Sequence, residues 1–400
     1  MPRTLYLHIG SHKTGTTSIQ KSLSANILAL AALGVDYPIG NNDTNLHDCF
    51  RPDKEFGFPE RGFRLHRPKR LLRRLDACKN PTVVLSSEGL SYVFEPESAA
   101  EIHAMFQAHF DRTFVVSYLR RQDLLAVSHH QEGSKRPSRP AARLYGNRPN
   151  ALPQSGPHLD RYLNYDARMA LWADAFGRDA MRIRAFERDR LVGGDVVADF
   201  LTVLGIDPEA IENQPIANAS FGFTRTKVGH LIKDIIKDED LQRLILQKMT
   251  GGGKMVPSRA EAQDFLAPYL DSNRKLNEIY KITEAPDLFS SDFSDLPEVP
   301  GDLWTEDTAT AMFKVMAGLL AERSPDDDDP RMVALAKAAQ TLKASDPVGA
   351  AQLSNLTTTL RPGRAKASVA SLRRREAKAT PDAPKDAEEN DIFDDDEAEF

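Results

Sequence analysis

The 400-residue sequence has little cysteine and no long apolar run. Its two cysteines, Cys49 and Cys78, can form one bridge at most and match no CxxC metal pair, so we interpret both as structural thiols. No stretch of about 18 apolar residues occurs, which predicts a chain without a membrane-spanning helix. The first residues have neither the basic n-region nor the apolar h-region of a signal peptide. We therefore expect a cytoplasmic protein.

The chain carries a net charge of −6, and its acidic residues are concentrated near one end. Residues 386–400 hold nine acids and no base, which leaves the remainder mildly basic, as suits a protein that binds anions. Just upstream, "RPGRAKASVASLRRREAKATPDAPK" has few large apolar side chains and cannot offset the entropy cost of ordering. We predict a disordered, basic-then-acidic tail over 361–400 that can recruit a protein partner. We expect no nucleic-acid partner.

The composition also changes at "SPDDDDP" (324–330). This stretch separates the rest of the chain from an alanine-rich helical pattern at 332–360 and from the tail. We interpret 301–360 as an accessory helical segment. The remaining residues, 1–300, are predicted to form one α/β domain.

Short apolar runs alternate with helical patterns within this domain. The runs typical of buried strands are "TLYLHI" (4–9), "TVVLSSE" (82–88), "TFVVSYLR" (113–120) and "MRIRAFE" (181–187). The clearest helical patterns span 18–33, 123–132, 166–176 and 195–204, the last before Gly205, a residue typical of helix ends. This alternation predicts a doubly wound, mainly parallel sheet whose ligands bind at the carboxyl ends of the strands.

The stretch "HIGSHKTGTTSIQ" joins the first predicted strand to the first predicted helix. Such a junction gathers free backbone N–H groups and the positive end of a helix dipole, which favours a bound phosphate or sulfate. It is not a Walker A loop, because Lys13 stands two positions before Gly15 instead of directly after a glycine. Gly15 lets the backbone approach an anion closely, and Thr16 and Thr17 can add hydroxyl donors.

"KTGTTSIQ" and "YLRRQDLLAVS" together resemble the two nucleotide-binding signatures of sulfotransferases that use 3′-phosphoadenosine 5′-phosphosulfate (PAPS), in particular the bacterial members. The resemblance extends to about residue 297. It implies a three-layer, P-loop NTPase-like α/β fold with extra helices, with PAPS as co-substrate. The residues expected to bind the nucleotide are Lys13, Thr14, Gly15, Thr16, Thr17 and Ser18 in the loop, with Arg120 and Ser128 on the 3′-phosphate. Many cytosolic members carry tryptophan where Ser18 stands, so other residues are needed to hold adenine.

Lys13, Glu88 and His12 are the candidate catalytic residues. The Lys13 ammonium would stabilise charge that develops on the leaving 5′-phosphate, a task that needs no metal. Glu88 is the first candidate for the base that removes the acceptor proton, because it lies at the carboxyl end of a buried strand. His12 is the second candidate. A structural role for Glu88, as a cap of the following helix or as a partner of Lys13, stays open, as does a simple pairing of Arg120 or Arg121 with Asp123.

By analogy with bacterial relatives, the acceptor is expected to be a hydroxyl on a carbohydrate or glycolipid, bound by loops at 41–70 and 134–158. The glycine-rich loop "TGGGKMVPSR" (250–259) is either a lid over the ligands, through Lys254 or Arg259, or a surface turn. Two other functions stay open. One is a P-loop kinase that uses ATP, with Glu88 holding magnesium, and the other is an inactive nucleotide-binding scaffold.

Overall fold

The computed structural model describes residues 2–38, 50–52, 63–65, 68–135, 140–146, 148–212, 221–233, 235–236, 238–249 and 251–322. A compact unit ends at Met312, and a second unit begins at Phe313, of which the described residues reach 322. The alanine-rich pattern at 332–360, the predicted tail at 361–400 and Cys49 lie outside the described residues. The predicted boundaries at 300 and 360 therefore stay predictions.

A five-stranded, entirely parallel sheet forms the centre of the fold. Its strands are β1 (Thr4–His8), β2 (Val35–Asp36), β5 (Thr82–Ser86), β6 (Arg112–Leu119) and β7 (Met181–Ala185), and they lie in the order β2-β5-β1-β6-β7. A separate antiparallel pair joins β3 (Phe50–Pro52) to β4 (Phe63–Leu65). The four predicted strands are present, and each ends one or two residues earlier than the apolar run suggested.

Helices connect and flank these strands. The α-helices among the described residues are α1 (Thr16–Ala25), α2 (Ile27–Ala32), α3 (Pro68–Ala77), α4 (Pro96–Gln107), α5 (Gln122–Gly133), α6 (Pro140–Tyr145), α7 (Pro157–Leu163), α8 (Tyr165–Phe176), α9 (Val196–Val203), α10 (Phe223–Ile232), α11 (Glu239–Lys248), α12 (Arg259–Leu266), α13 (Leu270–Tyr280) and α14 (Glu306–Glu322). Within the described ranges, none of them combines the length and apolarity that a membrane crossing requires.

The single helix predicted over 18–33 is two helices, α1 and α2, which meet at Asn26. The Asn26 backbone leaves the helical region, with φ −112° and ψ 24°, and its side-chain amide donates to the carbonyl of Ser22 at 2.9 Å. An asparagine that hydrogen-bonds to nearby backbone competes with the regular helical ladder. The side chain of Asn26 therefore ends the first helix, although the spacing of apolar residues continues through this position.

The strand order places β1 at the point where the chain changes direction across the sheet. From β1 the chain passes through α1 and α2 toward β2 on one side, whereas from β6 it passes toward β7 on the other side. Because crossovers between parallel strands are right-handed, the two connections lie on opposite faces and leave a crevice above the carboxyl ends of β1 and β6. This is the doubly wound α/β architecture expected from the sequence, and it brings the segments after residues 8 and 119 together.

Candidate anion-binding site

The loop after β1 is attached to the end of β6 by backbone hydrogen bonds. The N–H of Ser11 donates to the carbonyl of Tyr118 at 2.9 Å, and the N–H of Tyr118 donates to the carbonyl of Gly10 at 2.7 Å. Gly10 has φ +93°, and a Cβ there would lie 2.5 Å from the Ser91 hydroxyl oxygen, so only glycine fits. The loop therefore has a defined path next to Arg120, the residue that follows β6.

Gly15 precedes α1 in a left-handed conformation, with φ +77°, and no side chain caps this helix. The N–H groups in the first turn of a helix have no acceptor within the helix, and the helix dipole adds partial positive charge there. Thr17 is exposed at this end, while the Thr14 hydroxyl is buried and donates to the carbonyl of Ser11 at 2.6 Å. The free end of α1 suits a phosphate or sulfate group, and Thr14 stabilises the loop that presents it.

Arg120 extends from the end of β6 to the same loop. Its Nη1 donates to the carbonyl of Lys13 at 3.2 Å, and its guanidinium carbon lies 5.9 Å from the centre of the Phe186 ring. Burial lowers the pKa of Arg120 from its ordinary value, although the group stays charged at any physiological pH. The backbone of Arg120 is held by Tyr165, whose hydroxyl donates to the Arg120 carbonyl at 2.6 Å. The two sequence signatures therefore meet, through Arg120 and Lys13.

The neighbouring Arg121 serves another purpose. Its Nε and Nη2 donate to the two carboxylate oxygens of Asp123 at 2.8 and 3.0 Å, and its Nη1 donates to the carbonyls of Ser290 and Asp292. The pairing with Asp123 that the sequence left open thus belongs to Arg121. Its guanidinium fastens the segment after α13 to the start of α5.

Lys13 is paired with an acidic residue that the sequence analysis did not single out. Its Nζ lies 2.6 Å from Oε2 of Glu132 on α5, and the Nζ of Lys135 lies 2.9 Å from the same oxygen. Burial raises the pKa of Glu132, but the two ammonium groups outweigh burial and hold this pKa at about 2. Lys13 is itself left-handed, with φ +58°. Glu132 is thus an ionised partner shared by two lysines beside the loop.

Glu88 lies directly after β5, at the start of a short 3₁₀ helix (Glu88–Tyr92). Its carboxylate accepts a hydrogen bond of 2.5 Å from the hydroxyl of Thr16 in the first turn of α1. The Glu88 carboxylate thus contacts the start of α1, and the Lys13 ammonium, which the sequence offered as a partner of Glu88, is paired with Glu132. No group of three or more His, Cys, Asp or Glu side chains positioned to hold a metal ion occurs in the described part of the chain.

His12, which precedes Lys13 in the loop, is buried among aromatic side chains. Its Nδ1 is 2.8 Å from the Tyr162 hydroxyl, and its ring stacks on His129 with the two ring centres 4.5 Å apart. The ring of Tyr92 is also 4.5 Å away, centre to centre. Burial is the main cause that lowers the pKa of His129 well below its usual value, and the charges of His12 and Lys13 lower it further. The stack therefore contains at least one neutral imidazole at pH 7.

The remaining predicted residues are less closely connected to the loop. Ser18 is half-buried on α1. Ser128 is half-buried on α5, and its hydroxyl makes no hydrogen bond to any other described residue. In the glycine-rich loop, Lys254 is exposed and Arg259 pairs with Glu298 at 2.6 Å. This loop nevertheless reaches α5, because the carbonyl of Met255 accepts from the side chain of Gln131 at 2.9 Å.

Two charged residues at the loop were missed by sequence reasoning, Glu132 and Arg168. Glu132 stands four positions after Ser128, so both lie on one face of α5, and that spacing was a usable signal. Arg168 lies within the helical pattern of α8 and contacts Ser11, 157 residues away in sequence. No spacing rule identifies such a contact.

Comparisons with known proteins give limited similarity. No protein-family profile matches the chain. A stretch of 171 residues is 29% identical to an uncharacterized protein of Archaeoglobus fulgidus, and it covers 40% of this chain and 44% of that relative. Among solved structures, the crystal structure of a sulfotransferase from Alicyclobacillus acidocaldarius is similar at 16% identity with a TM-score of 0.40. That alignment covers 71% of this chain and 98% of the other.

Proposed function

We propose that the protein transfers a sulfuryl group from PAPS to a hydroxyl of an acceptor, of which a carbohydrate or glycolipid is our first candidate. The observation that carries the proposal is the contact between Arg120 and the backbone of Lys13, because it unites the two predicted nucleotide signatures at one crevice. An uncapped helix and three basic side chains, Lys13, Arg120 and Arg168, surround this point. Such a site has the charge and the free donors that a phosphosulfate requires.

PAPS supplies the sulfuryl group, whose sulfur forms a bond to the acceptor oxygen as its bond to the 5′-phosphate oxygen breaks. In our proposal the first-turn N–H groups of α1 and the hydroxyl of Thr17 bind the phosphosulfate oxygens. The Lys13 ammonium leaves Glu132 and binds the oxygen that bridges the sulfur and the 5′-phosphate. Negative charge develops on this oxygen as its bond to sulfur breaks. An interaction that strengthens in the transition state raises the rate and not merely the affinity.

The 3′-phosphate is assigned to Arg120 and Ser128. A guanidinium can donate two parallel hydrogen bonds to a phosphate, and the Ser128 hydroxyl has no competing protein partner among the described residues. Arg120 directly follows β6, and Ser128 lies on α5, the next helix along the chain. This arrangement would distinguish a 3′-phosphorylated nucleotide from ATP or ADP.

Glu88 is our candidate for the general base, and His12 is the alternative. The Glu88 carboxylate contacts Thr16 at the start of α1, next to the proposed phosphosulfate position. The Nδ1 of His12 is engaged by Tyr162, and its ring is stacked in an aromatic cluster. A proton taken from the acceptor hydroxyl would reside on the Glu88 carboxylate until it exchanges with solvent.

The test of the proposal is product formation. The purified protein would be incubated with PAPS labelled in the sulfuryl group and with fractionated carbohydrates and glycolipids, and label would be followed into the acceptor. Transfer that requires the protein supports the proposal. A parallel reaction with labelled ATP and magnesium tests the kinase alternative. Transfer of phosphate without transfer of sulfate would show that the protein is a kinase and would contradict our assignment.

A further inference from the structure

Arg168 is a buried cation next to the loop, and none of the described acidic residues pairs with it. Its side chain on α8 is 4% exposed. Nη1 donates to the carbonyl of Tyr162 at 2.9 Å, and Nη2 lies 3.5 Å from the hydroxyl of Ser11, at the limit of a hydrogen bond. Among the residues that the structure describes, no carboxylate lies within ion-pair distance of this guanidinium.

Arg121 provides a direct comparison within the same site. It is also 4% exposed, yet both carboxylate oxygens of Asp123 accept hydrogen bonds from it. Two further backbone carbonyls accept from its Nη1. The fold therefore pairs one buried guanidinium with a carboxylate, whereas the other has no carboxylate within ion-pair distance among the described residues.

The contacts of Arg168 offset only part of the cost of burying a charge. One carbonyl and two tyrosine rings face the guanidinium, with its central carbon 4.7 Å from the Tyr162 ring centre and 5.7 Å from the Tyr165 ring centre. Rings and carbonyls stabilise a cation only through partial charges, whereas removing the full charge from water is energetically costly. A bound anion nearby would supply the missing charge.

We propose that Arg168 is a further cation of the anion site, placed behind the loop so that its charge stabilises the phosphate or sulfate group bound at Gly15 and the start of α1. The identity of that group as a phosphosulfate rests on the proposed function, whereas the binding of an anion does not. Because Arg168 is shielded from water, its charge acts through the protein interior, where electrostatic interactions are stronger than across solvent.

The same tyrosines connect Arg168 to the other site residues. The Tyr162 hydroxyl contacts Nδ1 of His12, and the Tyr165 hydroxyl donates to the carbonyl of Arg120. A purely structural Arg168 would serve only to hold these tyrosines in place. The two roles predict opposite effects on stability and on ligand affinity, so they can be separated by experiment.

The experiment compares the thermal midpoint and the anion affinity of wild type, Arg168→Met, Arg168→Lys and Arg121→Met. The probes are adenosine 3′,5′-bisphosphate and inorganic pyrophosphate, measured by calorimetry. We expect Arg168→Met without ligand to melt at or above the wild-type temperature, since it removes an uncompensated buried charge. Its Kd for both probes should rise at least about fivefold, and Arg168→Lys should recover part of that loss.

Arg121→Met is the matched control, because it leaves the buried Asp123 carboxylate without its partner. We expect this variant to melt at a lower temperature than wild type. A large fall in the melting temperature of Arg168→Met, with wild-type Kd values for both probes, would assign Arg168 a structural role and overturn the proposal. The absence of any anion binding by wild type would overturn it as well.

The pyrophosphate measurement separates this inference from the proposed function. If wild type binds pyrophosphate and Arg168→Met weakens that binding, Arg168 belongs to an anion site whatever the natural ligand is. If the same wild type shows no preference for adenosine 3′,5′-bisphosphate over ADP, the PAPS assignment fails while the role of Arg168 stands.

Discussion

The ammonium nitrogen of Lys13 lies 2.6 Å from a carboxylate oxygen of Glu132, and Lys135 lies 2.9 Å from the same oxygen. In the proposed mechanism Lys13 acts on a bound anion, so that anion would have to compete with Glu132 for the ammonium group. Because the side chain of Lys13 remains 31% exposed, it can turn from one partner to the other. Lys135 then remains to compensate Glu132.

We predict that Glu132→Gln binds adenosine 3′,5′-bisphosphate more tightly than wild type. The change removes a negative charge that competes for Lys13 and repels the ligand, so Kd should fall about three- to tenfold by calorimetry. Lys135→Met is the complementary variant. This variant removes one of the two lysines that pair with Glu132, so Glu132 should hold Lys13 more strongly and the nucleotide should bind more weakly. An unchanged Kd in both variants would show that the ion pair has no role in anion binding.

Arg120→Ala should remove the preference for a 3′-phosphate. A charge-assisted hydrogen bond contributes about 1.5–3 kcal/mol, so affinity for adenosine 3′,5′-bisphosphate should fall at least about tenfold while affinity for ADP changes little. Ser128→Ala should show a smaller effect in the same direction, because a neutral hydroxyl is the weaker donor. Equal wild-type binding of both nucleotides would contradict the assignment of Arg120 and Ser128.

Turnover should survive EDTA and should depend on Glu88. The sulfuryl group carries less charge than a γ-phosphoryl group, so Lys13 and the backbone donors can suffice where a kinase needs magnesium. Glu88→Gln keeps the reach of the side chain but removes its basicity, which typically lowers a rate by about 10²–10⁴-fold. Rates of wild type, Glu88→Gln and His12→Ala with one confirmed acceptor decide the matter. If Glu88→Gln turns over at a near-normal rate and His12→Ala is inactive, the general base is His12 and Glu88 has a structural role.

Acid should destabilise the protein below about pH 6.5, the ordinary pKa of histidine. Burial lowers the pKa of His8 and of His130 to about 4, and burial with nearby positive charge lowers that of His230 to about 2. The neutral forms therefore stabilise the fold above pH 6.5, and this stability is lost as the pH falls toward these values. Each histidine contributes up to about 1.4 kcal/mol per pH unit.

Urea denaturation between pH 4 and 7 measures this dependence. His130 and His230 stack with ring centres 4.0 Å apart, and neither ring nitrogen of His230 has a hydrogen-bond partner among the described residues. His230→Phe should therefore keep the stack and show a shallower fall in the free energy of unfolding with acid. An identical pH dependence in wild type and His230→Phe would exclude His230 as a contributor.

Gly229→Ala should lower the thermal midpoint. A Cβ at this position would lie 2.4 Å from the carbonyl oxygen of Ser134, so α10 would have to move away from the end of α5, at a cost of about 1–3 kcal/mol. Gly318→Ala is the control, because that helical glycine has open space around it and alanine is the better helix former. A midpoint that does not fall in Gly229→Ala would show that the two helices can separate at little cost.

The sequence by itself determined the four long strands, the type of connection between them and the position of the loop at the end of β1. These features are local, because apolar period, glycine and helix-forming residues act over a few neighbours. The break at Asn26 and the two-residue strand β2 escaped notice, the first because one side chain interrupts a continuous pattern and the second because the strand is too short to show a period.

Only the tertiary structure decided which charges meet at the loop. Glu132 pairs with Lys13 across 119 residues of sequence, and Arg168 contacts Ser11 across 157 residues. Arg121 and Arg168 are equally buried, and that burial depends on how the helices pack around the sheet and not on a short motif. The motifs therefore located the candidate anion site, whereas long-range packing set its electrostatics, since charge interactions depend on distance in space and on exclusion of water.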